Sequence, residues 1–160
     1  MTSFRVGIGY DVHRLGEGHE LWLGGVLIPH SKGAIGHSDA DVVLHAICDA
    51  LLGALALGDI GKHFPDTDDK WKGADSKDLL RHVMTLVKEK GYRPGNVDCA
   101  LCLEKPKIAS HIPAMMQVIG EIMELAPDAV SIKATTNEKM GYVGREEGVN
   151  AQAVVGLIKA

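Results

Sequence analysis

Residues 4–13, FRVGIGYDVH, alternate between larger apolar side chains and polar or glycine positions. Alternation with a period of two is typical of a β-strand whose two faces differ, so this stretch predicts a strand that opens the sheet. Residues two apart in a strand project from the same face. Asp11 and His13 are therefore expected to stand side by side, a carboxylate next to an imidazole.

The chain that follows this strand predicts further strands and three helices. Residues 21–28 indicate a tight hairpin around two glycines, and Ser38 is the expected N-cap of a helix with Asp41 in a capping-box position. The other expected elements are helices over 76–90 and 110–125, and strands over 97–103, 130–135 and 149–158. This order predicts a single domain over residues 1–160, an α/β (α+β) sandwich of a mixed sheet with helices on one face.

Composition excludes several classes of protein. The 160 residues contain no apolar run near the roughly 18–20 residues that span a bilayer, so no membrane association is expected. The net charge is −4 and no stripe of Lys and Arg is present, which argues against a nucleic-acid partner. Three cysteines, an odd number without a secretory pattern, indicate reduced thiols and a cytoplasmic protein.

One group of side chains has the composition of a metal site. His45 lies on the first predicted helix, and together with Asp11 and His13 it could form a tripod for a borderline divalent ion such as zinc. Three protein ligands would leave one coordination position open, as in working rather than structural metal sites. By spacing alone, a buried and hydrogen-bonded histidine remains the more ordinary explanation.

Two segments are suited to anions. Residues 36–39, GHSD, come where the first helix is expected to begin, and free N–H groups at a helix start bind phosphates, although Ser38 could simply cap the helix. Residues 133–139, KATTNEK, offer hydroxyls, backbone amides and lysines to phosphate oxygens, and Glu138 could hold a magnesium ion. An ordinary polar turn explains the second segment equally well, and neither segment names a reaction.

Short motifs cover nearly the whole chain. They are GYDVH (9–13), LGGV (23–26), GHSDADVVLHA (36–46), ALGDIG (56–61), FPDTD (64–68), KGADS (72–76), GNVD (95–98), PK (106–107), KATTNEK (133–139) and GYVGREEG (141–148). In order and spacing they resemble the motifs of the 2-C-methyl-D-erythritol 2,4-cyclodiphosphate synthase family. Asn137, Tyr142 and Glu146 stand where the family frequently has threonine, phenylalanine and glycine.

The resemblance implies an activity and an assembly. It implies a phosphorus–oxygen lyase that converts 4-diphosphocytidyl-2-C-methyl-D-erythritol 2-phosphate to 2-C-methyl-D-erythritol 2,4-cyclodiphosphate and releases CMP, in the non-mevalonate pathway of isoprene biosynthesis. It also implies a homotrimer, with three sheets packed around a threefold axis and active sites at the subunit interfaces. The apolar closing strand, 149–158, supports such packing because it needs a cover.

The resemblance also assigns residues. Asp11, His13 and His45 would hold zinc, and Glu138 would hold a second ion, magnesium or manganese, with the substrate diphosphate. His37 and Thr136 would be the catalytic residues that stabilise the transition state. The substrate-binding residues would be Asp11, His13, His37, Ser38, Asp59, Ile60, Gly61, Phe64, Pro65, Asp66, Thr67, Asp68, Leu103, Glu104, Lys105, Pro106, Lys107, Ile108, Ala109, Thr135, Thr136, Asn137, Glu138, Tyr142 and Arg145.

Two other functions are compatible with the tripod. A generic zinc-dependent phosphohydrolase would use the same ligands with a water-activating base, and a non-catalytic trimeric module would use the metal only for structure. Neither explains why residues 135–138 and the pair His37 and Ser38 accompany the tripod. No Ser-His-Asp or Cys-His set is found in the sequence, and cyclisation by the substrate's own phosphate needs none.

Overall fold

The structure is a computed structural model and describes residues 3–160. Its strands are β1 (Phe4–Glu17), β2 (Leu21–Leu23), β3 (Val26–Ile28), β4 (Lys32–Ile35), β5 (Tyr92–Cys102), β6 (Val130–Thr135) and β7 (Gly148–Lys159). Its helices are α1 (Val42–Ala54), α2 (Ile60–His63), α3 (Ser76–Glu89), α4 (Ile112–Met123) and α5 (Gly141–Gly144). Short 3-10 turns occur at Asp69–Trp71, Ala109–His111 and Pro127–Ala129.

Five strands form one mixed sheet in the order β4-β1-β7-β5-β6. Strands β5 and β6 are parallel, and the other neighbours are antiparallel. Strands β2 and β3 pair separately as the predicted hairpin. Helices α1, α3 and α4 pack on strands of the large sheet, and the buried apolar side chains form one cluster between them. The predicted mixed α/β sheet with helices on one face is confirmed.

Helix α1 lies unusually close to β1 because two glycines face it. A Cβ added at Gly7 would lie 1.8 Å from the carbonyl oxygen of Ala50, and one added at Gly9 would lie 1.8 Å from that of Ala46. Neither position therefore has room for any side chain. The glycines bring the backbone of the helix directly over the strand that carries Asp11 and His13.

The sheet face opposite the helices is apolar and uncovered. Its exposed side chains come mainly from β1: Phe4, Val6, Ile8, Tyr10 and Val12, each between 44% and 69% exposed. The sequence had pointed to the closing strand instead. In β7, however, alternate residues from Val149 to Leu157 are buried under the helices, and Val154 is the large apolar side chain that adds to the exposed face.

Helix α1 begins later than predicted. Its N-cap is Asp41, whose Oδ1 accepts a hydrogen bond from the amide of Leu44 at 3.0 Å. Ser38 does not cap it, because Ala40 adopts a φ of 57° and turns the chain between Ser38 and the helix. The start of α1 is buried and already capped by Asp41, so it does not offer the anion site expected from residues 36–39.

Other boundaries also differ from the predictions. The predicted loop between the hairpin and α1 contains β4, which pairs with the end of β1. Strand β5 begins at Tyr92 and accommodates Pro94 at an irregularity of its pairing with β7. The N-cap of α3 is Asp75, so Ser76 is a helical residue. Within residues 3–160, every helix lacks the combination of length and apolar composition that crossing a membrane requires.

Candidate active site

Three potential metal ligands converge between β1 and α1. Asp11 Oδ2 lies 3.0 Å from His13 Nε2 and 3.1 Å from His45 Nδ1, and the two imidazole nitrogens lie 3.4 Å apart. Zinc bonds of about 2.0–2.1 Å in tetrahedral geometry place neighbouring ligand atoms roughly 3.3 Å apart. The three atoms therefore fit a divalent ion, and the predicted tripod is brought together.

The charge of Asp11 is stabilised in place. Burial alone would raise its pKa, but hydrogen bonds from His13 and His45 outweigh burial and lower the pKa to about 2. Burial would likewise lower the pKa of His13, and its hydrogen bond with Asp11 reverses the direction and raises it. The carboxylate is thus ionised, which is the form that coordinates a metal.

The orientation of His13 is fixed by its other nitrogen. His13 Nδ1 lies 3.0 Å from the carbonyl oxygen of Ile35 in β4. A carbonyl only accepts hydrogen bonds, so Nδ1 carries a ring proton and Nε2 is the nitrogen that would coordinate an ion; in the metal-free chain Nε2 donates to Asp11 instead. The pairing of β4 with β1 therefore contributes directly to the site, although no strand was predicted there.

A cavity of about 320 Å³ opens beside the tripod. The predicted residues that line it are His37, Ser38, Ile60, Gly61, Phe64, Pro65 and Asp66. Trp71 and Leu79 line it as well and were not predicted. The aromatic ring of Phe64 packs edge-on against Trp71, at 4.7 Å between centroids. A tryptophan in the otherwise polar segment 59–73 was the one sequence signal for this wall.

The segment after α1 is anchored to that helix. The Asp49 side chain accepts a hydrogen bond from the amide of Ile60 at 2.8 Å, which holds the start of α2 at the cavity. Asp59 caps α2 through the amide of Lys62, at 2.9 Å. Asp59, Thr67 and Asp68 are exposed and do not line the cavity.

A second, separate cavity of about 210 Å³ lies at the ends of β5 and β6. The predicted residues that line it are Leu103, Glu104, Pro106, Lys107, Ile108, Ala109, Thr135 and Thr136. Lys105 is exposed nearby, and its peptide bond to Pro106 is cis. The residues that the resemblance assigns to the nucleotide and the diphosphate therefore lie mostly together, in a cavity separate from the tripod.

The turn after β6 is held by hydrogen bonds to the side chain of Glu104. The carboxylate of Glu104 accepts hydrogen bonds from the amides of Asn137 and Lys139, at 3.1 and 3.2 Å. Those two amides are not free for phosphate oxygens, contrary to the expectation that the backbone of 133–139 receives them. The side chains of Thr135, Thr136 and Glu138 are exposed around this turn.

The tripod and Thr135 face different sides of the sheet. Val12, Asn150, Cys102 and Thr135 pair in one row across four strands, so Thr135 is about 14 Å from Val12 at the usual strand spacing. Paired residues share a face, which puts Thr135 on the uncovered side with Val12. Asp11 and His13 flank Val12 and face the helices. One chain does not unite the tripod with Thr135.

Tyr142 and Arg145 line neither cavity. The hydroxyl of Tyr142 lies 3.3 Å from that of Tyr10 and accepts a hydrogen bond from Asn150 at 2.8 Å, on the uncovered face. The hydrogen bond with Tyr142 and partial burial raise the pKa of Tyr10 to about 12. Arg145 is exposed, and its Nε donates to Glu147 at 3.0 Å.

Comparison with known proteins identifies the family of the chain. The chain matches the YgbB family over residues 4–158. It is 60% identical over 156 residues to the 2-C-methyl-D-erythritol 2,4-cyclodiphosphate synthase of Ectopseudomonas mendocina, a match that covers 98% of this chain and 99% of that relative.

Solved structures agree. A 2C-methyl-D-erythritol-2,4-cyclodiphosphate synthase in its CDP-bound form superimposes with a TM-score of 0.88 at 42% identity, covering 94% of this chain and 98% of that one. The bifunctional IspDF of Campylobacter jejuni gives 0.94 at 40% identity, with 98% of this chain covered; the match spans 42% of that longer protein. By its nearly full-length match to the family and to these relatives, the chain belongs to the YgbB family, the family of the 2-C-methyl-D-erythritol 2,4-cyclodiphosphate synthases.

Proposed function

We propose that the chain is a cyclodiphosphate synthase, a phosphorus–oxygen lyase that converts 4-diphosphocytidyl-2-C-methyl-D-erythritol 2-phosphate to 2-C-methyl-D-erythritol 2,4-cyclodiphosphate and CMP. The observation that carries the proposal is the Asp11–His13–His45 tripod in a cavity lined by His37 and Ser38. A relative named 2-C-methyl-D-erythritol 2,4-cyclodiphosphate synthase, 60% identical along the chain, supports the proposed substrate.

The reaction is intramolecular. An oxygen of the substrate's 2-phosphate attacks the β-phosphorus, a new P–O bond closes the ring, and the bond from the β-phosphorus to the CMP oxygen breaks with its electron pair leaving on CMP. The protein must hold the chain of the substrate in line and neutralise charge, and it needs no nucleophile of its own. A divalent cation at the tripod, for which we propose zinc, would neutralise phosphate charge and polarise a phosphoryl oxygen.

The side chains at the tripod cavity would bind the methylerythritol phosphate end. Ser38 Oγ accepts a hydrogen bond from the amide of Ala40 at 3.2 Å and lies 3.1 Å from His45 Nε2. When His45 Nε2 carries a proton, it donates to Ser38 Oγ, and the Ser38 hydroxyl proton is available to a phosphate oxygen. We assign His37 a stabilising role in the transition state, since it is exposed at the same cavity.

The second cavity would bind the nucleotide end. Residues 103–109 would enclose the cytidine, and the hydroxyls of Thr135 and Thr136 would meet the diphosphate, with Thr136 stabilising developing charge. Glu138 would hold magnesium or manganese, which prefer oxygen ligands and commonly bridge phosphates. A solved relative named as a complex with CDP, 33% identical along 99% of this chain, supports a cytidine nucleotide as the ligand.

A complete site would then need two subunits. The tripod and Thr135 face opposite sides of one sheet, and the uncovered face is apolar enough to require a partner. We propose a homotrimer in which three such faces pack together, and in which the tripod cavity of one subunit meets residues 103–109, Thr135 and Thr136 of its neighbour. Tyr142 and Arg145 would lie near that junction.

Product analysis tests the reaction. Phosphorus NMR of the products from the proposed substrate should show the cyclic diphosphate and CMP in equal amounts. Appearance of an uncyclised phosphate product would instead favour the generic phosphohydrolase. Full retention of metal with no turnover of this substrate would favour the non-catalytic module.

Subunit mixing tests the shared site. His45→Ala subunits and Thr136→Ala subunits, each strongly impaired alone, should regain part of the activity after dissociation and reassembly, because some interfaces would unite two intact halves. Proven subunit exchange without recovered activity contradicts the shared site, and a fully active monomer by light scattering contradicts the trimer.

The remaining assignments are broader. We propose that residues 1–160 act as one catalytic domain and that the protein works in the cytoplasm. The cytoplasmic location is supported by Cys48, Cys99 and Cys102, which form no disulfide within one chain.

A further inference from the structure

His45 contacts a buried hydrogen-bonded pair on the side away from the tripod. Its Nε2 lies 2.8 Å from the hydroxyl of Ser76, the fully buried first residue of α3. That hydroxyl donates to Asp39 Oδ1 in a very short hydrogen bond, and Asp39 Oδ2 accepts the backbone amide of Ser76 at 2.9 Å. Asp39, Ser76 and His45 thus form a continuous chain that leads to the metal position.

The direction of each hydrogen bond in this chain is determined. An ionised carboxylate only accepts, so the single proton of the Ser76 hydroxyl is committed to Asp39. The contact between Ser76 and His45 then requires His45 Nε2 to be the donor. With a proton held on Nε2, His45 can coordinate an ion only through Nδ1. In the metal-free chain that Nδ1 donates to Asp11 Oδ2 at 3.1 Å instead.

We propose that Asp39 and Ser76 are positioning residues for the metal: they select the Nε2–H tautomer of His45 and hold its ring so that Nδ1 is the ligand. This inference rests on the metal site assigned under the proposed function. Ile35 does the same for His13 through a single backbone carbonyl. His45 on α1 is thereby held by Ser76 at the start of α3 and by Asp39 in the segment before α1. These contacts fix the orientation of the ring at the metal position.

The neighbouring Ser38 is the competing partner of His45. Its Oγ lies 3.1 Å from His45 Nε2, longer than the Ser76 contact, and it is only half-buried beside the cavity. A substrate phosphate would draw on the Ser38 hydroxyl during the reaction. Ser76 is fully buried and has no such second use, so we assign the orientation of the ring to Ser76.

Zinc affinity of the purified, metal-free protein tests the proposal. Ser76→Ala and Asp39→Asn should each weaken zinc binding by about 10- to 100-fold in a chelator competition. Asp75→Asn is the matched control, because Asp75 caps the same helix through the amide of Lys77 but does not contact His45. It should leave zinc affinity unchanged. Thermal melts confirm that each variant is folded.

The tautomer provides an independent reading. Long-range proton–nitrogen NMR of the zinc-loaded wild type should show His45 protonated on Nε2, and Ser76→Ala should speed the exchange of that proton with solvent because it removes the buried acceptor. If Ser76→Ala fails to fold, the wild-type tautomer and Asp39→Asn decide. A zinc-loaded wild type with His45 protonated on Nδ1, or unchanged zinc affinity in folded variants, overturns the proposal. A wild type that binds no zinc contradicts the metal site itself.

Discussion

The tripod region and the turn after β6 are built in opposite ways. At the tripod, side chains from β1 and α1 are half-buried or buried, and each imidazole has a partner on both of its nitrogens. At the turn, residues 133–141 are all exposed, and the carboxylate of Glu104 is what holds the backbone. The tripod residues therefore have their hydrogen-bond partners within one chain, whereas the residues of the turn face solvent.

The difference indicates where a neighbouring subunit is needed. A buried, hydrogen-bonded group of ligands is pre-organised and gains little from a partner, whereas the side chains of Thr135 and Thr136 remain exposed at their cavity. Changes at the tripod should therefore abolish binding of an ion, and changes at the turn should alter rates or nucleotide affinity in graded steps.

The largest effect is expected from His45→Ala. It removes one of three proposed protein ligands, so zinc content by elemental analysis should fall sharply and turnover should nearly vanish, while light scattering still reports the same assembly. His111→Ala, on the 3-10 turn before α4, is a control that should retain metal and activity. Full metal content and normal turnover in His45→Ala would remove the tripod from the mechanism.

Thr136→Ala and His37→Ala should act on the chemical step. Each removes a donor to developing charge, a loss expected to cost about 10²–10³ in single-turnover rate, with CDP binding changed far less. Thr136→Ser keeps the hydroxyl and should recover most of the rate. Rates within a few-fold of wild type in the alanine variants would show that both side chains only position the substrate.

The tripod should also have a signature in acid. The pKa of Asp11 is about 2 in the folded metal-free chain and 3.8 in its ordinary state, so its stabilising contribution is full above about pH 4 and is lost as the pH falls toward 2. The contribution is on the order of 2 kcal/mol. Urea unfolding of metal-free wild type should lose that much more stability across this window than Asp11→Asn.

The control for this titration is Asp128→Asn, an exposed carboxylate on the 3-10 turn Pro127–Ala129. Its pH dependence should follow that of the wild type. An Asp11→Asn protein whose stability falls as steeply as the wild type between pH 4 and 2 would contradict the low pKa.

The smallest effect is expected at the turn itself. Glu104→Gln replaces one of two acceptor oxygens by an amide donor, so one of the amides of Asn137 and Lys139 loses its partner. We expect CDP affinity to fall several-fold, measured by calorimetry, with zinc affinity unchanged. Glu121→Gln on α4 is a control of equal charge change. A loss of zinc in Glu104→Gln would mean that the two regions are coupled within one chain.

The sequence predicted elements better than it predicted contacts. Period-two alternation identified β1, and the order of strands and helices gave the mixed sheet, because those patterns depend on neighbours along the chain. The start of α1 was wrong, since the left-handed backbone of Ala40 and the burial of Asp41 depend on packing with the hairpin. Strand β4 was missed for the same reason: it pairs only with the far end of β1.

The candidate site divides in the same way. Residues two apart in a strand plus one on a helix suggested the tripod, but spacing alone favoured an ordinary buried histidine. The resemblance to the family assigned the metal ligands and the other site residues. The uncovered face was attributed to β7 instead of β1, because alternation alone does not say which of two faces meets the helices. The predicted helix over 76–90 includes Ser76, but its contact with His45 depends on how α3 crosses α1.

The two glycines beneath α1 should restrict which substitutions the chain accepts. Gly7 and Gly9 bind nothing, yet they set the gap across which a helix histidine meets a strand aspartate. Any substitution there would lift the helix by more than an ångström and separate donor atoms that now lie 3.0–3.4 Å apart. In a screen of random variants for loss of function, Gly7 and Gly9 should therefore tolerate substitution as poorly as the proposed metal ligands, although neither glycine contacts the metal position.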